Sequence, residues 1–160
     1  MIDGLKISAP TFVQRPKRVF VGLDAPMRFA DIPTIPDQWR RFNNAGVAVE
    51  NTVGHGSYGI SHGFSADGTW RYACVNEVKA VGVIPEGFAQ VSVPAASFAV
   101  FKSTENTSRI GEVIEVVTRW IATSDHEPAS GPMVEFYGSA YDPETGEGGF
   151  EIWSPVASVN

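Results

Sequence analysis

The stretch Met133-Val134-Glu135-Phe136-Tyr137 places a single carboxylate in a segment whose other residues are typical of a buried strand. Strand side chains alternate between two faces, so Met133, Glu135 and Tyr137 share one face and Val134 and Phe136 take the other. An ionised carboxylate is costly in apolar surroundings unless it has a partner. Two interpretations follow: the strand edge faces water, or Glu135 belongs to a binding site.

The composition favours one domain with its own core. The chain has 160 residues, of which 43% are hydrophobic. Its single cysteine, Cys74, cannot form an intrachain disulfide, and no basic and apolar leader precedes the body of the chain. Both features predict a cytoplasmic protein. No apolar run reaches the roughly 20 residues of a membrane-spanning helix, so we expect no membrane partner.

The charge and the motif content exclude several function classes. The formal net charge is −6, from 12 basic and 18 acidic residues, which disfavours nucleic-acid binding by this chain alone. His55, His62 and His126 do not have the spacing of a metal site, so no metal is expected. The chain also has no nucleophile elbow, phosphate-binding loop or dinucleotide fingerprint, and we expect no cofactor.

The first half of the chain has the pattern of a strand, a helix and a β-hairpin. The predicted elements are a strand at 18–23, a helix at 37–42 and hairpin strands at 57–63 and 69–75. Asp37 is the expected N-cap of the helix, and Trp39 and Phe42 share one of its faces. The turn Ser65-Ala-Asp-Gly68 joins the hairpin strands, since Asp-Gly favours a tight turn.

The second half repeats this order. Its predicted elements are extended segments at 90–93 and 97–101, a helix from Thr107 or Ser108 to about Ala122, the Glu135 strand, and a returning strand at 150–156. Two copies of strand, helix and hairpin predict an α+β protein with a pseudo-two-fold axis. Its helices are expected on one side of a curved antiparallel sheet, with a ligand groove between the halves. The expected repeats are about 17–82 and 88–157 of a single domain, 1–160.

Seven segments of the chain, taken together and in order, carry a family resemblance. They are Pro36-Asp-Gln-Trp-Arg-Arg-Phe42, Tyr58-Gly-Ile60, Trp70-Arg-Tyr72-Ala-Cys-Val75, Val93-Pro-Ala-Ala-Ser-Phe-Ala-Val-Phe101, Trp120-Ile121, Val134-Glu-Phe-Tyr137 and Glu151-Ile-Trp-Ser-Pro-Val156. Over nearly the whole chain this set resembles the GyrI-like small-molecule-binding domain. The same domain is the effector-binding domain of AraC-type and MerR-type multidrug regulators.

The resemblance implies a duplicated strand-helix-strand-strand (SHS2-type) module around an aromatic-walled pocket for lipophilic, often cationic, aromatic molecules. The family's Glu-x-Tyr motif falls on Glu135 and Tyr137. The expected ligand-binding residues are Glu135, Tyr137, Trp39, Phe42, Tyr58, Tyr72, Met133, Phe101 and Trp153. The chain departs from the family at Phe98, where Tyr is common, and at Ser154, where an aliphatic residue is more usual.

The physical chemistry of the residues fits this expectation. A delocalised cation is held by aromatic faces and by a partly desolvated carboxylate, here Glu135. Core positions are the alternative for the rings: Phe101 and Trp153 suit the core better than a ligand contact, whereas Tyr58 and Tyr72 suit a pocket rim and an ordinary surface equally. Met133 could line an adaptable site or fill the core.

Two functions of different class remain open. The first is a protein that sequesters or senses a lipophilic cation. The second, implied by resemblance to some GyrI-like proteins, is a hydrolase that opens the cyclopropane ring of genotoxic natural products. Glu135 would then be the general base, assisted by the hydroxyl of Tyr137 or Tyr72. A protein partner such as DNA gyrase is suggested by the family name alone.

Overall fold

Eight strands form one antiparallel sheet in the computed structural model, which describes residues 1–158. The strands are β1 (Thr11–Arg15), β2 (Arg18–Met27), β3 (Ser57–His62), β4 (Trp70–Val78), β5 (Ala89–Val93), β6 (Ala96–Ser103), β7 (Met133–Tyr137) and β8 (Phe150–Val156). The helices are α1 (Ile35–Asn43) and α2 (Ile110–Ala122), preceded by the 3-10 turns Phe29–Thr34 and Thr107–Arg109. The α+β class is confirmed.

The order of strands in the sheet shows the duplication. It runs β1-β6-β8-β7-β3-β4-β2-β5. Read outward from the central β7–β3 pair, one half is β7-β8-β6 and the other is β3-β4-β2, so corresponding strands take the same places. Each half follows the order strand, helix, strand, strand along the chain. Strands β1 and β5, which precede the first and the second half in the chain, are exchanged between the halves: β1 pairs with β6 and β5 pairs with β2. The halves are therefore tied together at both edges of the sheet.

The two faces of the sheet bury different cores. On the helix-facing side, α2 packs on a cluster that includes Phe101, Ile152 and Tyr137. On the other side no helix of residues 1–158 covers the sheet, which buries Phe20 and Trp153 there, among others. These come from strands far apart in the sheet order, and the guanidinium of Arg18 on β2 lies 5.4 Å from the Trp153 ring on β8. The sheet therefore curls around this second, concave face.

The first residues and the caps of the two helices differ in detail from the predictions. α1 starts at Ile35, two residues before the expected N-cap, so Asp37 lies in its first turn. Pro36 suits that position because the first turn leaves N–H groups without helical partners. Ahead of α2, the side chain of Asn106 accepts a hydrogen bond from Ser108 N (2.9 Å). Asn106 therefore caps the 3-10 turn Thr107–Arg109, and the expected caps, Thr107 and Ser108, lie inside that turn.

The hairpin between β3 and β4 is confirmed. Gly68 N donates to Ser65 O at 3.1 Å, and Gly68 has a φ of +86°, which a residue without Cβ adopts freely. Strand β1 was not predicted. It lies between Pro10 and Pro16 at the edge of the sheet, where a strand with one partner tolerates flanking prolines.

Candidate functional site

Glu135 lies in the middle of the sheet on its helix-facing side. Its strand, β7, pairs with β3 and β8, and Glu135 is opposite Gly59 on one and Ile152 on the other. Only 6% of the residue is exposed. The side-chain alternation predicted for this strand is confirmed by the packing of Tyr137 and Met133 against the α2 cluster, while Val134 packs in the concave core.

Two phenols hold the carboxylate. Tyr72 Oη donates to Glu135 Oε1 at 2.7 Å, and Tyr137 Oη donates to the same oxygen at 2.8 Å. None of the ion pairs among residues 1–158 includes Glu135. A buried acid is thus held by two neutral donors and without a cation.

The electrostatics follow from burial. Removal from water raises the pKa of Glu135, although the hydrogen bonds from Tyr72 and Tyr137 partly oppose this by favouring the charged form. Burial and the neighbouring Glu135 charge hold the pKa of both tyrosines well above the ordinary value. The phenols therefore stay protonated and act as donors.

Trp39 covers this group from α1. Its Nε1 donates to Tyr72 Oη at 3.0 Å, and its ring packs edge-on against Tyr137 with 5.3 Å between centroids. The neighbouring Gln38 is 2% exposed, and its Nε2 donates to the carbonyl oxygens of Leu23 and Tyr72. These contacts fix α1 over the sheet.

Gly59 and Cys74 lie in the sheet beneath the carboxylate. Gly59 was not among the residues predicted from the sequence. Gly59 pairs with Glu135 on one side and Cys74 on the other. A glycine inside a strand pattern is the signal that could have marked it, because it permits close approach of another group. Cys74 is fully buried, and burial raises the pKa of its thiol, so it stays neutral.

Three further predicted residues lie on the helix-facing side but at a distance from this centre. Phe42 packs on Trp39 and Phe88, each with 5.9 Å between centroids. Met133 is half-buried and lines a surface depression of about 540 Å³ together with Phe64 and others. Phe101 is fully buried against Trp120, below α2. The first two flank the site, whereas Phe101 belongs to the core.

Tyr58 and Trp153 lie on the concave face, away from Glu135. Tyr58 Oη accepts a hydrogen bond from Arg18 Nη2 at 3.0 Å, and Trp153 packs on Phe98 at 5.8 Å between centroids. Strand alternation explains the position of Tyr58: Gly59 faces the helices, so its neighbour Tyr58 must face the other way. The expectation that Tyr58 and Trp153 line the same pocket as Glu135 does not fit these positions.

The site is closed in this conformation, since Glu135, Tyr72 and Tyr137 are all buried. Two surface depressions, of about 540 and 490 Å³, lie around the 129–131 loop and are not lined by these three residues. Across residues 1–158, neither helix has the length and apolar character needed to cross a membrane. The same residues contain no cluster of three His, Cys, Asp or Glu side chains able to hold a metal ion.

This fold and this buried acid fit a class of ligand-binding domains. The sequence pattern of the GyrI-like small molecule binding domain matches residues 8–157, and the chain belongs to the GyrI-like family. The transcriptional regulator BrlR of Pseudomonas aeruginosa is 29% identical over 132 residues, which are 78% of this chain and 46% of the regulator. The chain thus spans about half the length of this curated relative.

Solved structures share the architecture. SAV2435 bound to tetraphenylphosphonium superposes with a TM-score of 0.77 at 18% identity, covering 94% of this chain and 95% of that one. A hydrolase from Listeria innocua superposes with a TM-score of 0.57 at 10% identity, covering 93% and 92%. At these identities the likeness establishes the fold.

Proposed function

We propose that this domain binds lipophilic, aromatic organic cations on the helix-facing side of the sheet, with Glu135 as the counter-charge. The observation that carries the proposal is the burial of Glu135 between two phenol donors without a cationic partner among residues 1–158. Such a carboxylate has already lost most of its hydration, so it gains more from a bound cation than an exposed carboxylate does.

The rings around Glu135 supply the rest of a cation site. Trp39 lies against Tyr72 and Tyr137, and the hydroxyls of these two tyrosines bond the carboxylate. A delocalised cation is attracted by aromatic faces, and stacking tolerates many ring systems because it has few directional requirements. Broad selectivity among flat or propeller-shaped cations follows.

A ligand has to displace Trp39 to reach the carboxylate. The indole now occupies the space next to Tyr72 and Tyr137, and its N–H is bonded to Tyr72 Oη. The ligand would replace one aromatic contact by another, so much of the cost of opening would be recovered. Trp39 is then free to pack on the outer side of the ligand.

The comparisons support ligand binding in general terms. The family is one of small-molecule-binding domains, and SAV2435, which shares the fold, was solved with a lipophilic cation. BrlR is a transcriptional regulator, which favours sensing as the use of the bound ligand, with sequestration as the alternative.

The test is the affinity of Glu135→Gln for a matched pair of ligands, measured by isothermal titration calorimetry. Tetraphenylphosphonium carries the charge, and triphenylphosphine oxide is a neutral aromatic analogue. We expect the cation to bind about tenfold or more weakly to the variant, and the neutral compound to change little. Glu151→Gln is the control, since Glu151 lies on the adjacent strand and bonds Trp153 on the concave face. Equal cation affinity in Glu135→Gln and the natural protein would contradict the proposal.

Hydrolysis of a strained ring is the second candidate. Its support is the raised pKa of Glu135, which makes the carboxylate a stronger base than an ordinary one, beside two phenol groups. Glu135 would take a proton from water and the water oxygen would bond to a cyclopropane carbon as one ring C–C bond breaks. Tyr72 or Tyr137 would protonate the carbon released, and the proton on Glu135 would then restore the phenol. Both phenols already donate to Glu135 and their high pKa makes them weak acids, so binding is favoured. Mass analysis of incubated cyclopropane compounds separates the two: turnover that Glu135→Gln abolishes would establish the hydrolase.

A further inference from the structure

The bond between Tyr72 and Glu135 crosses a whole strand. Tyr72 is on β4 and Glu135 is on β7, with β3 between them. Neighbouring strands lie about 4.8 Å apart, so these two backbones are separated by roughly 9.6 Å. The two side chains nevertheless meet at 2.7 Å. They do so by lying flat over β3, which requires the residue beneath them to leave room.

Gly59 is the residue beneath them. A Cβ at this position would lie 2.6 Å from Glu135 Oε1 and would also collide with Tyr72 Oη. The residues with positive φ in 1–158 do not include Gly59, so its backbone conformation is open to any residue. Glycine is required at this position for space.

We propose that Gly59 is a positioning residue of the cation site: its missing side chain lets Tyr72 reach Glu135 across β3 and thereby sets where the carboxylate meets a ligand. This inference rests on the proposed function. Gly59 touches no ligand in this account and acts only through the two side chains above it.

The contact also affects the protonation of the site. The hydrogen bonds from Tyr72 and Tyr137 oppose the burial that raises the pKa of Glu135. Three other titratable groups lie around Glu135, Tyr72 and Tyr137. Cys74 lies beside Glu135, Tyr141 lies beside Tyr137, and the charge of Arg41 on α1 lowers the pKa of Cys74. Without the Tyr72 hydrogen bond, burial should raise the pKa of Glu135 further. Glu135 then takes up its proton at a higher pH, and the affinity for a cation is lost earlier on acidification.

The experiment measures tetraphenylphosphonium affinity across a pH series for Gly59→Ala, Tyr72→Phe and the double variant. We expect each single variant to bind about tenfold more weakly at neutral pH and to lose binding at a higher pH than the natural protein. In the double variant the Tyr72 hydroxyl is already absent, so the two losses should be less than additive. Gly82→Ala is the control, because Gly82 also faces a carboxylate, Glu50, in a surface loop. It should leave affinity and pH midpoint unchanged.

Urea unfolding shows that each variant is folded under the binding conditions. Additive losses in the double variant, or an unchanged pH midpoint in folded Gly59→Ala, would overturn the role of Gly59. Should Gly59→Ala fail to fold, Tyr72→Phe tests the same contact without adding a side chain, and an unchanged midpoint there overturns it equally. These outcomes differ from failure of the proposed function, in which Glu135→Gln itself leaves cation affinity unchanged.

Discussion

Trp39 Nε1 donates a hydrogen bond of 3.0 Å to Tyr72 Oη, and the same hydroxyl donates onward to Glu135 Oε1 at 2.7 Å. The indole, the phenol and the carboxylate come from α1, β4 and β7. A chain of two hydrogen bonds, here called the relay, therefore joins the helix of the first half to a strand of the second. A ligand that approaches Glu135 from the helix side has to break the first bond of this relay. Trp39 should therefore report on binding.

Trp39→Phe should remove most of the fluorescence change caused by tetraphenylphosphonium. The protein has four tryptophans, and among residues 1–158 the indole of Trp39 is the one that donates to Tyr72 Oη and has to move. Trp120→Phe is the matched control, because Trp120 packs against Phe101 in the core and should keep the full change. A fluorescence titration measures both. An undiminished signal in Trp39→Phe would show that the ligand binds elsewhere.

Glu135→Gln should stabilise the folded protein at neutral pH, by on the order of 1 kcal/mol. The folded-state pKa of Glu135 is raised above its ordinary value of 4.5, so the charged form opposes folding. The stability that Glu135 contributes is present below its unfolded pKa and is lost as the pH rises through the raised folded pKa. The advantage of the variant should therefore shrink on acidification through this window.

Urea unfolding of both proteins across the pH series measures this difference. Glu151→Gln is again the control, and it should not reproduce the pH dependence. A variant that is less stable than the natural protein at neutral pH, with a deficit that grows with pH, would show that the charge is stabilised by its surroundings.

Arg18→Met should destabilise the protein without changing ligand affinity. Arg18 is 5% exposed. Its guanidinium donates to both oxygens of Glu77 at 3.1 and 3.0 Å and lies 5.1 to 5.4 Å from three ring centroids on the concave face. Its removal leaves the half-buried carboxylate of Glu77, whose side chain is 14% exposed, without its cation, which costs about 3 kcal/mol. Denaturant unfolding measures the loss, and Arg18→Met/Glu77→Gln should recover part of it. Weaker tetraphenylphosphonium binding by the folded variant would place the ligand on the concave face instead.

The local pattern of the Glu135 strand could be predicted, but its place in the sheet could not. Alternation correctly assigned Glu135 and Tyr137 to one face and Val134 to the other. Whether β7 is an edge or a central strand depends on its partners, β3 and β8, which are remote in sequence. A wet edge and a buried site were therefore both compatible with the residues alone.

The face taken by Tyr58 shows a second limit of sequence. On β3 the large residues Tyr58 and Ile60 fill the concave core, whereas the helix-facing positions hold Gly59 and Ser61. An aromatic residue is the natural pocket candidate by chemistry, and a glycine gives no apolar signal. The pairing of Gly59 with Glu135 places the smaller residue beneath the carboxylate.

The most direct test is the structure of the protein bound to tetraphenylphosphonium. The account predicts the phosphonium on the helix-facing side, with Glu135 as the nearest acid, the Trp39–Tyr72 hydrogen bond broken and the indole against a phenyl ring. A ligand in the depression next to Met133 and Phe64, or beside Trp153 on the concave face, with that hydrogen bond intact, would contradict it.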